Sequence, residues 1–127
     1  MSAPSVGRWS PEERLSEIRK LKDGWLDGEG KAFDPAGLDW VQGIFAVLSE
    51  AGIRRPYVYP TLDGHVQAEW NGDGVRPSDV DVRFDIHQHS AEVMVFDYIG
   101  STVPSEVFQF DVPGGLEWFV LYLKRWA

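Results

Sequence analysis

The sequence predicts an α+β domain: two N-terminal helices, a four- to five-stranded antiparallel meander sheet, and a C-terminal helix packed on that sheet. Three observations carry this expectation. Tyr57 to Trp70 reads as strand, tight turn, strand, with Val66, Ala68 and Trp70 alternating against Gln67 and Glu69, the period of a half-buried strand. Asp79 to His87 alternates as strictly, with Val80, Val82, Phe84 and Ile86 on one side and Asp79, Asp81, Arg83, Asp85 and His87 on the other. Ser10-Pro11, Asp34-Pro35 and Pro113 each precede apolar residues at helical spacing.

Residues 1–9 are expected to be a flexible tail and 10–127 a single α+β domain, since 127 residues suit one core. Ser10-Pro11-Glu12-Glu13 supplies a cap, an N1 proline and the acid of a capping box. The first helix should run from Pro11 to about Lys22 and stop at Asp23-Gly24. Asp23 to Gly30 is an acidic loop whose three glycines demand unusual backbone angles, with Trp25 and Leu26 as its anchors to the core. Asp34-Pro35 opens the second helix, with Leu38, Val41, Phe45 and Leu48 as its stripe, widened by Trp40, Ile44 and Val47, and Gly52 as its stop.

The central hairpin turns at Thr61-Leu62-Asp63-Gly64, where Gly accepts positive φ and Asp can bond its own backbone. Asn71 to Ser78 is a turn-rich connection. The Asp79–His87 strand should have one wet face, and Gln88 to Ser90 should be a turn. Ala91 to Tyr98 is apolar on both sides, which suits a central strand or one covered on both faces. Glu106 to Asp111 fits a short fifth strand with Phe108 and Phe110 inward. The last helix, opened by Pro113, has Leu116, Phe119, Val120 and Leu123 as its core stripe. Trp118, Leu121, Tyr122 and Trp126 make it apolar nearly all round, so it is either deeply buried or meets a partner.

Composition narrows the function. The net charge of −8 disfavours direct nucleic-acid binding, which draws its affinity from neutralising phosphates. It suits attraction of a basic protein partner, although it also serves solubility. The absence of cysteine excludes thiol catalysis and zinc–thiolate sites. No apolar run reaches the roughly 20 residues of a membrane span, and Met1 to Gly7 lacks the apolar segment of a signal peptide. A cytoplasmic protein with no membrane partner is expected.

The chemical motifs are sparse. Asp23, Asp27 and Glu29 offer the oxygen ligands that Ca²⁺ takes, but their spacing departs from the EF-hand pattern, and a solvated turn accounts for them. His87 and His89 would share a strand face with Asp85, but the turn expected at Gln88 breaks the alignment, and no metal is assigned. Glu69, beside Trp70, is a candidate carboxylate in apolar surroundings, yet no matching base and no nucleophile elbow accompany it. The expectation is therefore no enzyme and no cofactor. Six Trp, four Tyr and seven Phe instead favour interaction, since Trp and Tyr dominate binding hot spots. The candidate partner-binding residues are Asp79, Asp81, Arg83, Asp85 and Glu69 on the sheet and Trp118 and Trp126 on the C-terminal helix, which also offers a contact for a homodimer.

Gly24-Trp25, Asp27-Gly28-Glu29-Gly30, the Asp34-Pro35 helix start, and then Tyr59-Pro60-Thr61, Asp63-Gly64, Gln67 and Glu69-Trp70 resemble a broad group of small bacterial proteins. That group carries a Trp–Asp–Gly segment followed by a Pro-Thr…Gly…Glu-Trp hairpin, and the resemblance covers Leu21 to Asn71. It brings no catalytic residues or cofactors. Genes of this kind occur near mobile elements and toxin–antitoxin-like or defence loci. The resemblance thus implies a neutralising or accessory binding role: an antitoxin, immunity or anti-defence protein, with a subunit of a larger bacterial or phage assembly as the alternative.

Overall fold

The computed structural model describes residues 10–73, 78–97 and 103–127. The tail expected at 1–9, Tyr98, and the middle of the Asn71–Ser78 connection lie outside the described residues. The elements are α1 (Pro11–Ile18), α2 (Pro35–Glu50), β1 (Tyr57–Pro60), β2 (Val66–Trp70), β3 (Ser78–Asp85), β4 (Ser90–Asp97), β5 (Glu106–Gln109) and α3 (Gly115–Trp126). The five strands form one antiparallel sheet in the order β1-β2-β3-β4-β5, the meander that the sequence predicts.

One face of the sheet builds the core. Ala68 pairs with Val82, and Val82 with Val93; Trp70, Val80 and Val95 form a parallel row, and all are buried. Helices cover that face. Phe84 takes edge-on contacts from Trp40 and Phe45 of α2 and from Phe119 of α3, with ring centres 5.5–6.2 Å apart. Such pairs contribute about 0.5–1.5 kcal/mol each beyond their buried area. Leu15 and Ile18 of α1 complete the layer. Trp70 is fully buried and its indole N–H donates to the Arg54 carbonyl at 2.7 Å, so its one polar atom is satisfied.

The caps follow the sequence. The Ser10 hydroxyl accepts from the Glu13 N–H at 3.1 Å, and the Asp34 carboxylate from the Gly37 N–H at 3.2 Å. The hairpin turn closes as expected, with Gly64 at φ +84° and its N–H donating to the Thr61 carbonyl.

Besides β5 ending at Gln109 rather than Asp111 and β4 opening at Ser90 rather than Ala91, five boundaries or burials differ from expectation. First, α1 ends at Ile18 rather than near Lys22. The Lys20 and Leu21 N–H groups bond three residues back, to Glu17 and Ile18, which tightens and ends the helix. Second, the β3–β4 turn begins at Ile86, because the Asp85 carboxylate accepts the N–H groups of His87 and Gln88 at 3.0 and 2.9 Å and takes them out of the ladder. Third, β4 is a central strand, between β3 and β5, but it is not covered on both faces: Phe96 is half exposed beside half-buried Met94. Fourth, Leu26 is exposed, because it flanks a tight reversal at Asp27-Gly28, where both residues have positive φ; Trp25 is the apolar anchor of that loop, its ring tilted against Phe33 with centres 6.3 Å apart. Fifth, α3 starts at Gly115. Pro113-Gly114 forms a tight turn closed by Gly115 N–H to the Val112 carbonyl, with Gly114 at φ 82°, ψ −5°, the geometry of a type II turn.

Two glycines of α2 should respond oppositely to alanine. A Cβ on Gly37 would sit 2.8 Å from the Ile86 side chain and backbone oxygen, whereas one on Gly43 meets nothing within 4 Å. Gly43→Ala should raise stability by about 0.5–1 kcal/mol through helix propensity. Gly37→Ala should lower it by about 1–3 kcal/mol, because overpacking outweighs the same propensity gain. Urea denaturation of the two variants checks both signs.

Candidate functional site

The second face of the sheet is the one not packed by the helices. Its side chains are fixed by the register that builds the core, since successive residues point to opposite faces. Two cross-strand rows run over it. Tyr57 pairs with Glu69, Glu69 with Asp81, and Asp81 with Met94. Tyr59 pairs with Gln67, Gln67 with Arg83, Arg83 with Glu92, and Glu92 with Val107. Asp79 lies opposite Phe96. The sequence-predicted residues Glu69, Asp79, Asp81, Arg83 and Asp85 therefore do share one face. Tyr57, Tyr59, Met94 and Phe96 belong to it as well, although reading the strands one at a time does not bring them in.

The five residues are not equivalent. Arg83 is bound to the Asp63 carboxylate of the hairpin turn. Asp63 is held below the usual carboxylate range by the Thr61 hydroxyl, against the opposing effect of burial, with further help from Arg83 and His65. Asp79 accepts from the Gly72 N–H at 2.6 Å. Asp85 caps the β3–β4 turn: burial pushes its carboxyl up, but the Gln88 and His87 N–H groups together with His65 and His87 outweigh that and hold it low. These three polar groups do structural work. Asp81 is different. Burial, then Glu69, then Asp79 push its carboxyl above the usual range. Glu69 accepts from the Gln67 side-chain amide at 2.9 Å and faces Asp81 directly. Trp70 lies on the opposite, core face, so it does not form the apolar surroundings expected for the Glu69 carboxylate.

The histidines separate as the turn requires. The His65 Nδ1 accepts from the Ile86 N–H at 3.2 Å and lies 3.8 Å from Asp85, with the His87 ring 5.4 Å away. His89, at φ 52°, stacks flat on Trp40 with ring centres 4.6 Å apart and lies 3.6 Å from Asp111. Among the described residues no group of three His, Asp or Glu is arranged to hold a metal ion. In the acidic loop, the Asp23 carboxylate accepts from the Ala32 N–H at 2.9 Å and ties the loop's two ends together.

The helical candidates part as well. Trp118 is 67% exposed, whereas Trp126 is half-buried with Arg125 over its ring at 5.0 Å. Among the described residues, no helix is long and apolar enough to cross a membrane. Comparison with known protein families, curated proteins and solved structures returns no match.

The two aspartates of β3 should move stability in opposite directions with pH. Asp81 has its folded pKa raised, so its cost is absent in acid and builds as pH rises through the folded value. Asp81→Asn should therefore stabilise at neutral pH by about 0.5 kcal/mol, in the range for directly opposed like charges, with the gain vanishing in acid. Asp85 has its folded pKa lowered, so its contribution is full above the unfolded value and lost as pH falls through the folded one. Asp85→Ala should cost about 1 kcal/mol at neutral pH and less in acid. Thermal denaturation of both variants between acid and neutral pH provides the measurement.

Proposed function

We infer that the chain is a non-catalytic, acidic protein-binding module of the cytoplasm whose open sheet face engages a basic partner. The observation that carries this reading is the direct opposition of Glu69 and Asp81 in a row framed by Tyr57 and Met94. Like charges placed opposite each other weaken a sheet. Carboxylates beside tyrosine rings are also the chemistry that receives an arginine or lysine, by ion pairing and by contact with the ring face. A cation from a partner would relieve the repulsion and lower the raised Asp81 carboxyl. The net charge of −8 would steer such a partner toward the chain. The resemblance of Leu21–Asn71 to small bacterial proteins near toxin–antitoxin-like loci supports an antitoxin, immunity or anti-defence role. The alternative is an accessory subunit of a bacterial or phage assembly, which the exposed apolar surface of α3 favours.

The test uses the partner that co-purifies with the tagged chain from its native host. Glu69→Gln combined with Asp81→Asn should slow association severalfold at low ionic strength and progressively less as salt rises. The same variant should be at least as stable as the parent. Association unchanged across the salt range would remove this face as the interface.

A further inference from the structure

We propose that Asn71-Gly72, in the connection from β2 to β3, is a site of self-modification, where the Gly72 backbone nitrogen closes onto the Asn71 side-chain amide, releases ammonia and leaves aspartate or isoaspartate.

The sequence holds a single asparagine, and a glycine follows it. Such a pair can cyclise because glycine brings no Cβ to crowd the five-membered ring. The difficult step is removal of the proton from the backbone N–H, a very weak acid. The fold places a charged group on each side of that peptide bond. Asp79, near the start of β3, accepts the Gly72 N–H at 2.6 Å, within reach for a general base. The Arg54 guanidinium donates to the Asn71 carbonyl oxygen of the same peptide bond. When the nitrogen loses its proton, negative charge spreads onto that oxygen, where a cation already stands. Arg54 is itself held: its carbonyl takes the Trp70 indole N–H at 2.7 Å, and its guanidinium lies 3.9 Å from Asp73. The Asn71 side chain is exposed, so it can turn onto the nitrogen, and water can reach the product.

Other glycines show what sets this one apart. Gly24, Gly28 and Gly64 each follow an aspartate, whose carboxyl could close the same ring. Their N–H groups donate to the carbonyls of Gly30, Gly24 and Thr61. A carbonyl holds such a proton but is too weak a base to take it, whereas a carboxylate can. Among the described residues, Gly72 is the one glycine after Asn or Asp whose N–H meets a carboxylate.

The reaction balances with water alone. The Gly72 proton passes to Asp79, the nitrogen's electron pair forms a bond to the Asn71 Cγ, and the Cγ–Nδ2 bond breaks as ammonia leaves with the proton from Asp79. Water then opens the cyclic imide at one carbonyl or the other, giving aspartate or isoaspartate. Either product adds one negative charge beside Asp73 on a chain of net charge −8. Isoaspartate also lengthens the backbone by one carbon next to buried Trp70. The charged groups about this peptide are Arg54, Asp73 and Asp79, with Asp81 further along β3. The residue opposite Asp79 on β4 is uncharged Phe96, so Asp79 is the base that the geometry offers.

Incubation of the full chain, folded in buffer and unfolded in guanidinium chloride, tests this, with peptide mass spectrometry and enzymatic methylation of isoaspartate as readouts. The folded chain should convert Asn71 about tenfold faster or more than the unfolded chain. Asp79→Asn, which keeps an acceptor but removes the base, should abolish that advantage. Arg54→Gln should reduce it, and Arg54→Lys should restore part of it. In the folded parent the rate should stay nearly level across neutral pH, because Asp79 rather than hydroxide takes the proton. In Asp79→Asn and in the unfolded chain it should rise steeply with pH. Circular dichroism serves as the folding control, and the pH profile of the parent decides the matter if a variant fails to fold. A folded chain that converts more slowly than the unfolded one would mean that the Asp79 hydrogen bond locks the peptide, and it overturns the proposal. So does a folded Asp79→Asn variant that matches the parent, or a parent rate that climbs with pH as steeply as in the unfolded chain.

Discussion

The register between β2 and β3 is the constraint on which the rest depends. Pairing Val66 with Phe84, Ala68 with Val82 and Trp70 with Val80 buries six side chains against the helices. At roughly 1.5–3 kcal/mol for each large apolar side chain removed from water, any shift by one residue would expose the whole set, because it would turn every side chain to the other face. The same register leaves no choice about the opposite face. Once Ala68 meets Val82, Glu69 must meet Asp81. The repulsion of that pair, below about 1 kcal/mol, is small against the burial that enforces it. The carboxylate pair is thus a place where the fold can carry a functional group without losing its register.

Much of this was legible in the sequence because it is local. The caps at Ser10 and Asp34, the Gly64 turn, the alternation of β2 and β3 and the α2 stripe all depend on residues within a few positions of one another. The differences arise where a side chain or a turn competes with the regular element. Asp85 takes two backbone N–H groups and ends β3 early. Pro113 reads as a helix start when taken alone, whereas Pro113-Gly114 as a pair specifies the type II turn that precedes α3. That signal was present and points to the turn.

The composition of the open face was only half legible. Alternation within β3 places Asp79, Asp81, Arg83 and Asp85 together, but it says nothing of which strand lies beside it. Tyr57 and Met94 join the row only through β1–β2 and β3–β4 pairing, which is non-local. Nor does alternation reveal that Arg83 and Asp85 are already bound to Asp63 and to the β3–β4 turn. Sorting a charged face into groups held by the fold and groups left facing their own kind needs the hydrogen-bond partners, and that sorting singles out Glu69 and Asp81.

The two ends of the sheet show how local packing can set the character of a surface. At one end α1 lies against β1, and its Arg14 occupies a carbonyl of that strand. At the other, Gly115 allows the first turn of α3 to sit on the end of β5: a Cβ there would fall 1.9 Å from the Gln109 carbonyl oxygen. This close approach, just after the Pro113-Gly114 turn, fixes where α3 crosses the sheet. With Phe119 and Leu123 directed into the core, the helical repeat carries Trp118 and Leu121 past the edge. The exposed apolar stripe is therefore a geometric consequence of a tight turn and a glycine, not of a surplus of aromatic residues.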